Sequence, residues 1–463
     1  MKKKIFRYLL IFSLPCWILS SCKVVQPYQV PEAETAGLYR ETFQTDSFSI
    51  AELSWNQFFT DSALLVLIER GIAENPDLQM AYARLEQAEA YYRQTRAAFF
   101  PSLDANAGVN ISKLSEAQGF GIRTSATQYQ LGLSSSWEAD IWGRLRSSRR
   151  ASLANLLQTD AARKAVQTRL VADLANLYYN LLALDQQLAI TNQTVANWDS
   201  TVSTMRALKV SARVTEAAVV QSEAQRYAAE VTIPDLKQSI RETENTISIL
   251  LGQAPAAIAR GSLQTAMPNR NLTTGVPALL MANRPDIIQA EQNFRYFFEM
   301  SNVARTFFYP SLIITGSTGL NALSFANIFD PASFVASIGA GLTQPVFNRR
   351  ANRTRLEVAL SQQREALLGF QNSLLNAGRE VSDALSLHQH AIEKIAIRSN
   401  QMDALQKSVE YTQELLNNGF GNYVEIITAR QSLLAAEIGD VNDRLQQFRA
   451  TVNLYRALGG GWR

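Results

Sequence analysis

The chain is written twice. Asn75-Pro76-Asp77-Leu78 returns as Arg284-Pro285-Asp286-Ile287, and Phe99-Phe100-Pro101-Ser102-Leu103 returns as Phe307-Phe308-Tyr309-Pro310-Ser311-Leu312, each proline 209 residues from its copy. Asp140-Ile141-Trp142-Gly143-Arg144 stands against Pro345-Val346-Phe347-Asn348-Arg349, 205 residues on, and Leu251-Gly252 recurs as Leu458-Gly459 at 207. Single matches of this kind are cheap. A series in one order at nearly one offset marks an internal duplication, so whatever one copy builds the other must build as well.

Each copy follows one plan: a helical stretch (about 61–98, then 286–306), two short alternating runs, and a very long helical hairpin. The first repeat is placed at 61–255, with strands at 102–112 and 125–137 and a hairpin at 144–251. The second is placed at 281–463, with strands at 311–321 and 333–344 and a hairpin at 348–458. Between them, 256–280 reads as a linker, with Pro255 at its start and Gly261, Pro268, Gly275 and Pro277 within it. Residues 22–60 read as an extended N-terminal segment, with Pro27 and Pro31 near its start.

From Arg144 to Ile233 there is neither glycine nor proline, the two residues that most disfavour helix interiors. Leu170, Leu174, Leu177, Leu181, Leu184 and Leu188 step by four and three, the seam of a coiled coil. A helix from Arg144 to about Ala207 would reach roughly 95 Å at 1.5 Å per residue. Such a rod needs neighbours, since helices in proteins draw most of their stability from packing. A turn near Ser211–Thr215 sends the chain back, with Pro234 expected to kink the return. In the second copy the turn falls at Asn417–Asn422, and Gly369 and Gly378 are expected to make its outward helix less uniform.

The short runs alternate. Leu103, Ala105, Ala107 and Val109 are interleaved with Asp104, Asn106, Gly108 and Asn110. Tyr129, Leu131 and Leu133 are interleaved with Gln130, Gly132 and Ser134, and Phe334, Ala336, Ile338, Ala340 and Leu342 with Val335, Ser337, Gly339, Gly341 and Thr343. Leu312 to Thr318 is less regular and its register stays open. One apolar and one polar or small face, about ten residues long, is the pattern of a membrane β-barrel strand. Aromatic residues near the strand ends (Phe99, Phe100, Trp137, Trp142, Phe307, Phe308, Tyr309, Phe329, Phe347) read as interfacial girdles. The fold class expected is therefore mixed: long coiled-coil helical hairpins plus four barrel strands. Four strands cannot close, and an open edge cannot face hydrocarbon, where each unpaired backbone group costs several kcal/mol. Chains must share one barrel. Two would give eight strands and three would give twelve with a wider lumen; the residues alone leave that choice open.

The N-terminus adds an address. Lys2, Lys3, Lys4 and Arg7 precede an apolar stretch from Tyr8 to Leu19, too short to span a bilayer and matching a secretory signal over 1–21. Leu19-Ser20-Ser21-Cys22 resembles a bacterial lipobox, which makes Cys22 the expected acylation site; several acyl chains hold a membrane where one does not. Cys16 and Cys22 are the only cysteines, so no disulfide framework or thiolate metal site is expected. His388 and His390, two apart, do not share a helix face and give no metal pair. The formal net charge of +3 makes no case for nucleic acid.

Taken together, Trp55, Asp61-Ser62-Ala63-Leu64, Asn75-Pro76-Asp77-Leu78, Phe100-Pro101-Ser102-Leu103, Trp137 to Arg144 and Leu454 to Trp462 make the chain resemble the outer membrane factor family, the TolC-like efflux channels, and more closely their lipoprotein branch. The resemblance covers nearly everything after Cys22. It implies a homotrimer with a twelve-stranded barrel in the outer membrane and a helical tunnel through the periplasm. It also implies a periplasmic adaptor at the tunnel tip, an inner-membrane pump beyond it, no cofactor and no catalytic residue. The family's inward carboxylates near the second turn map onto Glu425-Ile426-Ile427-Thr428-Ala429-Arg430. The first acid falls on Glu425 and the second on Thr428, a departure that weakens an acidic gate, while the first copy has Ala218 and Val219 there. Three copies of Glu425 near one axis would form an acidic ring able to attract a cation. The resemblance places adaptor contacts at the turns, on Ser211, Ala212, Arg213, Asn418, Gly419, Phe420, Gly421 and Asn422, with Phe420 and Tyr423 as candidates for an apolar constriction or adaptor contact.

The function expected is a passive outer-membrane exit channel for small molecules such as drugs or toxic compounds. The alternatives are a duct for polypeptide secretion and a lipid-anchored periplasmic scaffold. An enzyme finds no support, since no glycine-rich phosphate loop follows a strand and no catalytic arrangement of histidines is recognisable.

Overall fold

A computed structural model describes residues 24–32, 37–40, 49–113, 125–268, 274, 277 and 279–463. The principal elements are α1 (Ser62–Glu74), α2 (Pro76–Ala97), β1 (Ser102–Lys113), β2 (Ser125–Ala139), α3 (Arg144–Val210), α4 (Glu216–Glu230), α5 (Thr232–Leu250), α6 (Pro285–Thr306), β3 (Ser311–Ala322), β4 (Phe334–Thr343), α7 (Ala351–Asn417) and α8 (Tyr423–Ala457). The duplication is visible in the bounds: α3 and α7 are both 67 residues long, and both ends of α7 lie 207 positions beyond those of α3.

The chain forms two compact units that cut across the repeats, each drawing on both copies. The first comprises the described part of Met1–Glu32 with Leu85–Thr159 and Ala290–Phe370. Its centre is a four-stranded antiparallel meander in the order β1-β2-β3-β4. Residues directly opposed in such a ladder share a face, so the register sorts every strand residue. One face carries Leu103, Ala105, Ala107, Val109 and Ile111 of β1 against Ser135, Leu133, Leu131, Tyr129 and Thr127 of β2. It continues through Leu320, Thr318, Gly316, Ile314 and Leu312 of β3 to Phe334, Ala336, Ile338, Ala340 and Leu342 of β4. The other face is polar or small apart from Ile313 and Val335. The register of β3, open in the sequence, is fixed by its neighbours: Ile314 lies opposite Trp137 on the apolar face, and Ile313 lies opposite Glu138 on the polar one.

The second unit comprises Ala33–Arg84, Asp160–Gln289 and Gln371–Arg463. It contains a lock used twice. Gly252 (φ +66°) and Gly459 (φ +97°) end the return helices in the left-handed region, where glycine alone is unstrained. A Cβ on Gly252 would lie 2.6 Å from the Glu74 carbonyl oxygen, and one on Gly459 would lie 2.5 Å from that of Asn283. The residue before each helix-starting proline then donates to the end of the return helix: Asn75 Nδ2 to the Leu250 carbonyl, and Arg284 Nη1 to the Ala457 carbonyl, both at 2.8 Å. The same positions in the two copies do the same job with different chemistry.

The return path of the first hairpin is interrupted at Val231, one turn before Pro234, whose missing N–H cannot bond the Glu230 carbonyl. In the second copy α8 runs unbroken over 35 residues. Gly369 and Gly378 lie within α7, which continues through both. Gly378 has a packing reason, since a Cβ there would meet the Leu38 carbonyl oxygen at 2.6 Å. The linker after the first copy is tied down by Arg260, which donates from Nη2 to Asp185 at 3.0 Å and from Nη1 to Glu244 at 2.5 Å, and by the Tyr178 hydroxyl, which accepts from the Gly261 N–H and donates to Asp61.

Candidate pore wall and helical tip

In the sheet unit the edge strands β1 and β4 each make a single ladder among the described residues. Their outer backbone groups form two open rows. The apolar face matches an environment of lipid and the polar face one of water. No described helix is long and apolar enough to cross a membrane. The aromatic residues at the strand ends divide into two sets. Phe307 has the guanidinium groups of both Arg144 and Arg355 over its ring (5.5 and 3.9 Å to the centroid). Trp142 donates to the Pro310 carbonyl at 2.7 Å and packs on Tyr309, and Trp137 donates to the Phe99 carbonyl at 2.9 Å. Phe100, Phe329 and Phe347 are exposed, as interfacial residues would be.

In the helical unit both turns have one geometry. Arg213 N–H bonds the Leu208 carbonyl and Phe420 N–H the Leu415 carbonyl, each at 2.9 Å, around a left-handed residue: Ala212 (φ 55°) in the first copy, Gly419 (φ 79°) in the second. The equivalent positions hold alanine and glycine, so the first turn carries a backbone strain that the second avoids. Ser211 and Arg213 are exposed, as are Asn418 and Asn422, and Phe420 is 85% exposed; Gly421 is half-buried. Asn422 caps α8 by accepting from the Val424 N–H.

Glu425 lies in the first turn of α8 with Thr428 one turn on, both exposed on one side of the helix. Thr428 spends its hydroxyl on the Val424 carbonyl at 2.9 Å. Inside, Met205, Ala218, Val219, Leu416 and Ile426 form a buried cluster that joins the two hairpins, with Tyr423 packed against it. Tyr423 thus parts from Phe420: one is half-buried packing, the other free surface. The hairpins are also joined by Arg430, which sequence reasoning quoted within the motif but gave no task. It donates from Nη1 to the Asn197 carbonyl at 3.3 Å and from Nη2 to Gln413 at 3.1 Å. Gln431 pairs with Gln225 alongside. Burial lowers the Arg430 pKa from its ordinary value. Among the described residues no carboxylate pairs with Arg430, and no cluster of potential metal ligands occurs. Cys22 lies outside the described residues.

A family model described as outer membrane efflux protein matches residues 67–253 and 276–460, one block for each copy. The chain belongs to the outer membrane efflux protein family. It is 29% identical to the solvent efflux pump outer membrane protein SrpC of Pseudomonas putida over 99% of this chain and 98% of that one. It is 24% identical to the probable outer membrane lipoprotein SilC of Salmonella typhimurium over 99% of each. Among solved structures, the outer-membrane channel OprN superposes with a TM-score of 0.89 at 25% identity, covering 95% of this chain and 100% of that one. Membership places this efflux protein in the outer membrane and makes it a conduit rather than an enzyme. The four strands and two long hairpins are the single-chain architecture of the efflux protein family, and the sheet is open because one chain supplies only part of a wall.

Proposed function

We propose that the protein is the passive outer-membrane exit channel of a tripartite efflux system for small molecules such as drugs or toxic compounds. On this reading it is a homotrimer whose twelve strands close one barrel, and its helical tip engages a periplasmic adaptor and, through it, an inner-membrane pump. The observation that carries the reading is the four-stranded sheet with one apolar face and, among the described residues, two unpaired edges: hydrocarbon tolerates no open edge, so copies of the chain must complete it. The likeness to SrpC, a solvent efflux pump outer membrane protein, supports a small-molecule cargo over a polypeptide. Energy comes from the pump, the channel being a passive conduit.

The tips at Ser211–Arg213 and Asn418–Asn422 supply the adaptor contact, with exposed Phe420 as its apolar anchor. Glu425, and Thr428 beside it, face the axis of the closed tip. The tip stays closed without a partner because the buried cluster and the Arg430 bonds tie the hairpins together. In planar bilayers the wild-type protein is expected to conduct poorly. Glu425→Ala should change ion selectivity, and Arg430→Ala should raise conductance several-fold by freeing the second hairpin from Asn197. Equal conductance and selectivity in wild type and Glu425→Ala would remove Glu425 from the gate. An unchanged conductance in Arg430→Ala would remove the latch.

The protein further belongs to the lipoprotein branch, with Cys22 as first residue of the mature chain and carrier of its acyl groups. The lipobox-like Leu19-Ser20-Ser21-Cys22 supports this, as does the name of the SilC relative. Intact-mass measurement of the membrane-extracted protein should give a chain starting at residue 22 plus acyl mass, and Cys22→Ser should lack that mass. A mature mass without acyl groups in the wild type would refute the assignment.

A further inference from the structure

The ladder register assigns each strand residue to a face, and the polar face has an uneven charge. Among its described residues it holds two carboxylates, Asp104 and Glu138, and no lysine, arginine or histidine. Glu138 is neutralised by Arg144, whose Nε donates to it at 2.7 Å. Asp104 is exposed and, among the described residues, makes no ion pair. It occupies one row of the ladder with Ser134, Ser317 and Ser337, the last two hydroxyls 2.8 Å apart. The adjacent row holds Ser102, Ser136 and Thr315. Two neighbouring rows therefore offer only hydroxyls and one carboxylate. Hydroxyls solvate either sign of ion, so the sign preference of this band rests on Asp104 alone.

We infer that Asp104 is the charge-selecting residue of the barrel wall: three copies in a hydroxyl band favour cationic over anionic solutes at the exit, separately from the tip. This rests on the trimeric barrel reading. Twelve strands about 4.8 Å apart and tilted about 40° enclose a radius of roughly 12 Å, so the three carboxylates stand about 20 Å from one another. That exceeds the Debye length of about 8 Å at 0.15 M salt but not the 30 Å or so at 0.01 M. The three charges then act together only in dilute salt, and the preference must fade as salt rises.

The test uses the full-length protein with Glu425→Gln, which removes the tip carboxylate, with and without Asp104→Asn, in planar bilayers under a KCl gradient. Asp104→Asn should lower the cation-to-anion permeability ratio about tenfold near 0.01 M and by less than about twofold at 1 M. An unchanged ratio at low salt, or an anion-preferring parent, overturns the inference. Should Asp104→Asn fail to assemble, Asp104→Cys labelled in the assembled channel decides instead. An anionic thiosulfonate should restore cation preference and a cationic one reverse it; insensitivity to both overturns the inference. Native mass read alongside separates the two claims. Trimers with unaltered selectivity sink the Asp104 assignment alone, whereas monomers sink the barrel reading and the assignment with it.

Discussion

Ile338→Lys is expected to abolish the assembled outer-membrane protein, while Ser337→Lys, one residue away, leaves it in place. The two side chains leave opposite faces of β4. Ile338 is 86% exposed on the apolar face, in line with Gly316 of β3, Ser135 of β2 and Leu103 of β1. Ser337 stands on the polar face, its hydroxyl against that of Ser317. Ile338 is central in a ten-residue strand, so a lysine there meets hydrocarbon near mid-depth at about 2–4 kcal/mol per copy, a cost that a closed oligomer multiplies. A lysine at 337 meets water and changes only the charge of the lumen. Trimer bands from outer-membrane fractions, compared across wild type and the two variants, check this. Equal losses in both would mean that β4 does not present one face to lipid.

The second large effect concerns a buried ion pair in the same unit. Glu299 is 1% exposed and accepts from Arg150 Nε at 2.7 Å and Nη2 at 3.0 Å, with Asn302 Nδ2 at 3.3 Å. Asn302 in turn holds the N-terminal segment through both backbone groups of Gln26, at 3.0 and 2.9 Å. The two partners are unequally buried, Arg150 keeping about a third of its side chain in solvent. Removing the carboxylate lets the guanidinium turn to water. Removing the guanidinium strands a carboxylate that water cannot reach, at about 3–5 kcal/mol. Arg150→Ala should therefore lower the unfolding temperature more than Glu299→Gln does, and Arg150→Met with Glu299→Leu should recover part of the loss, because paired apolar groups leave no unmatched charge. Thermal unfolding of the four proteins in one detergent gives the ranking. The reverse order for the single variants would contradict the burial argument.

Much of this architecture was legible because duplication and alternation are both periodic signals. The Asn-Pro and Arg-Pro starts, the strand runs and the length of α3 and α7 follow from spacing alone. What was hidden depends on partners remote in sequence. The face of Ile313 and Ile314 cannot be read from two adjacent isoleucines; it is set by Glu138 and Trp137 across the ladder. Of the six leucines of the seam, Leu170, Leu174 and Leu181 are buried and Leu177, Leu184 and Leu188 only half-buried, while the buried stripe of α3 also takes Ala175, Tyr178 and Leu182, since a straight helix drifts from a strict heptad. Gly378 looked like a weak point in a helix and is instead a gap that the Leu38 backbone fills. The tip turns were legible from Asn417–Asn422 and, less plainly, from Ser211–Thr215, where Ala212 adopts a conformation usually reserved for glycine. Arg430 gave no signal beyond its charge, because its partners are a backbone carbonyl on α3 and an amide on α7.

Everything here turns on whether copies of the chain complete the sheet. Native mass measurement of the detergent-extracted, full-length protein addresses that directly. A single species of three chains is expected, with residues 103–133 and 312–342 protected from protease in the membrane. A stable water-soluble monomer with those segments open to cleavage would contradict it.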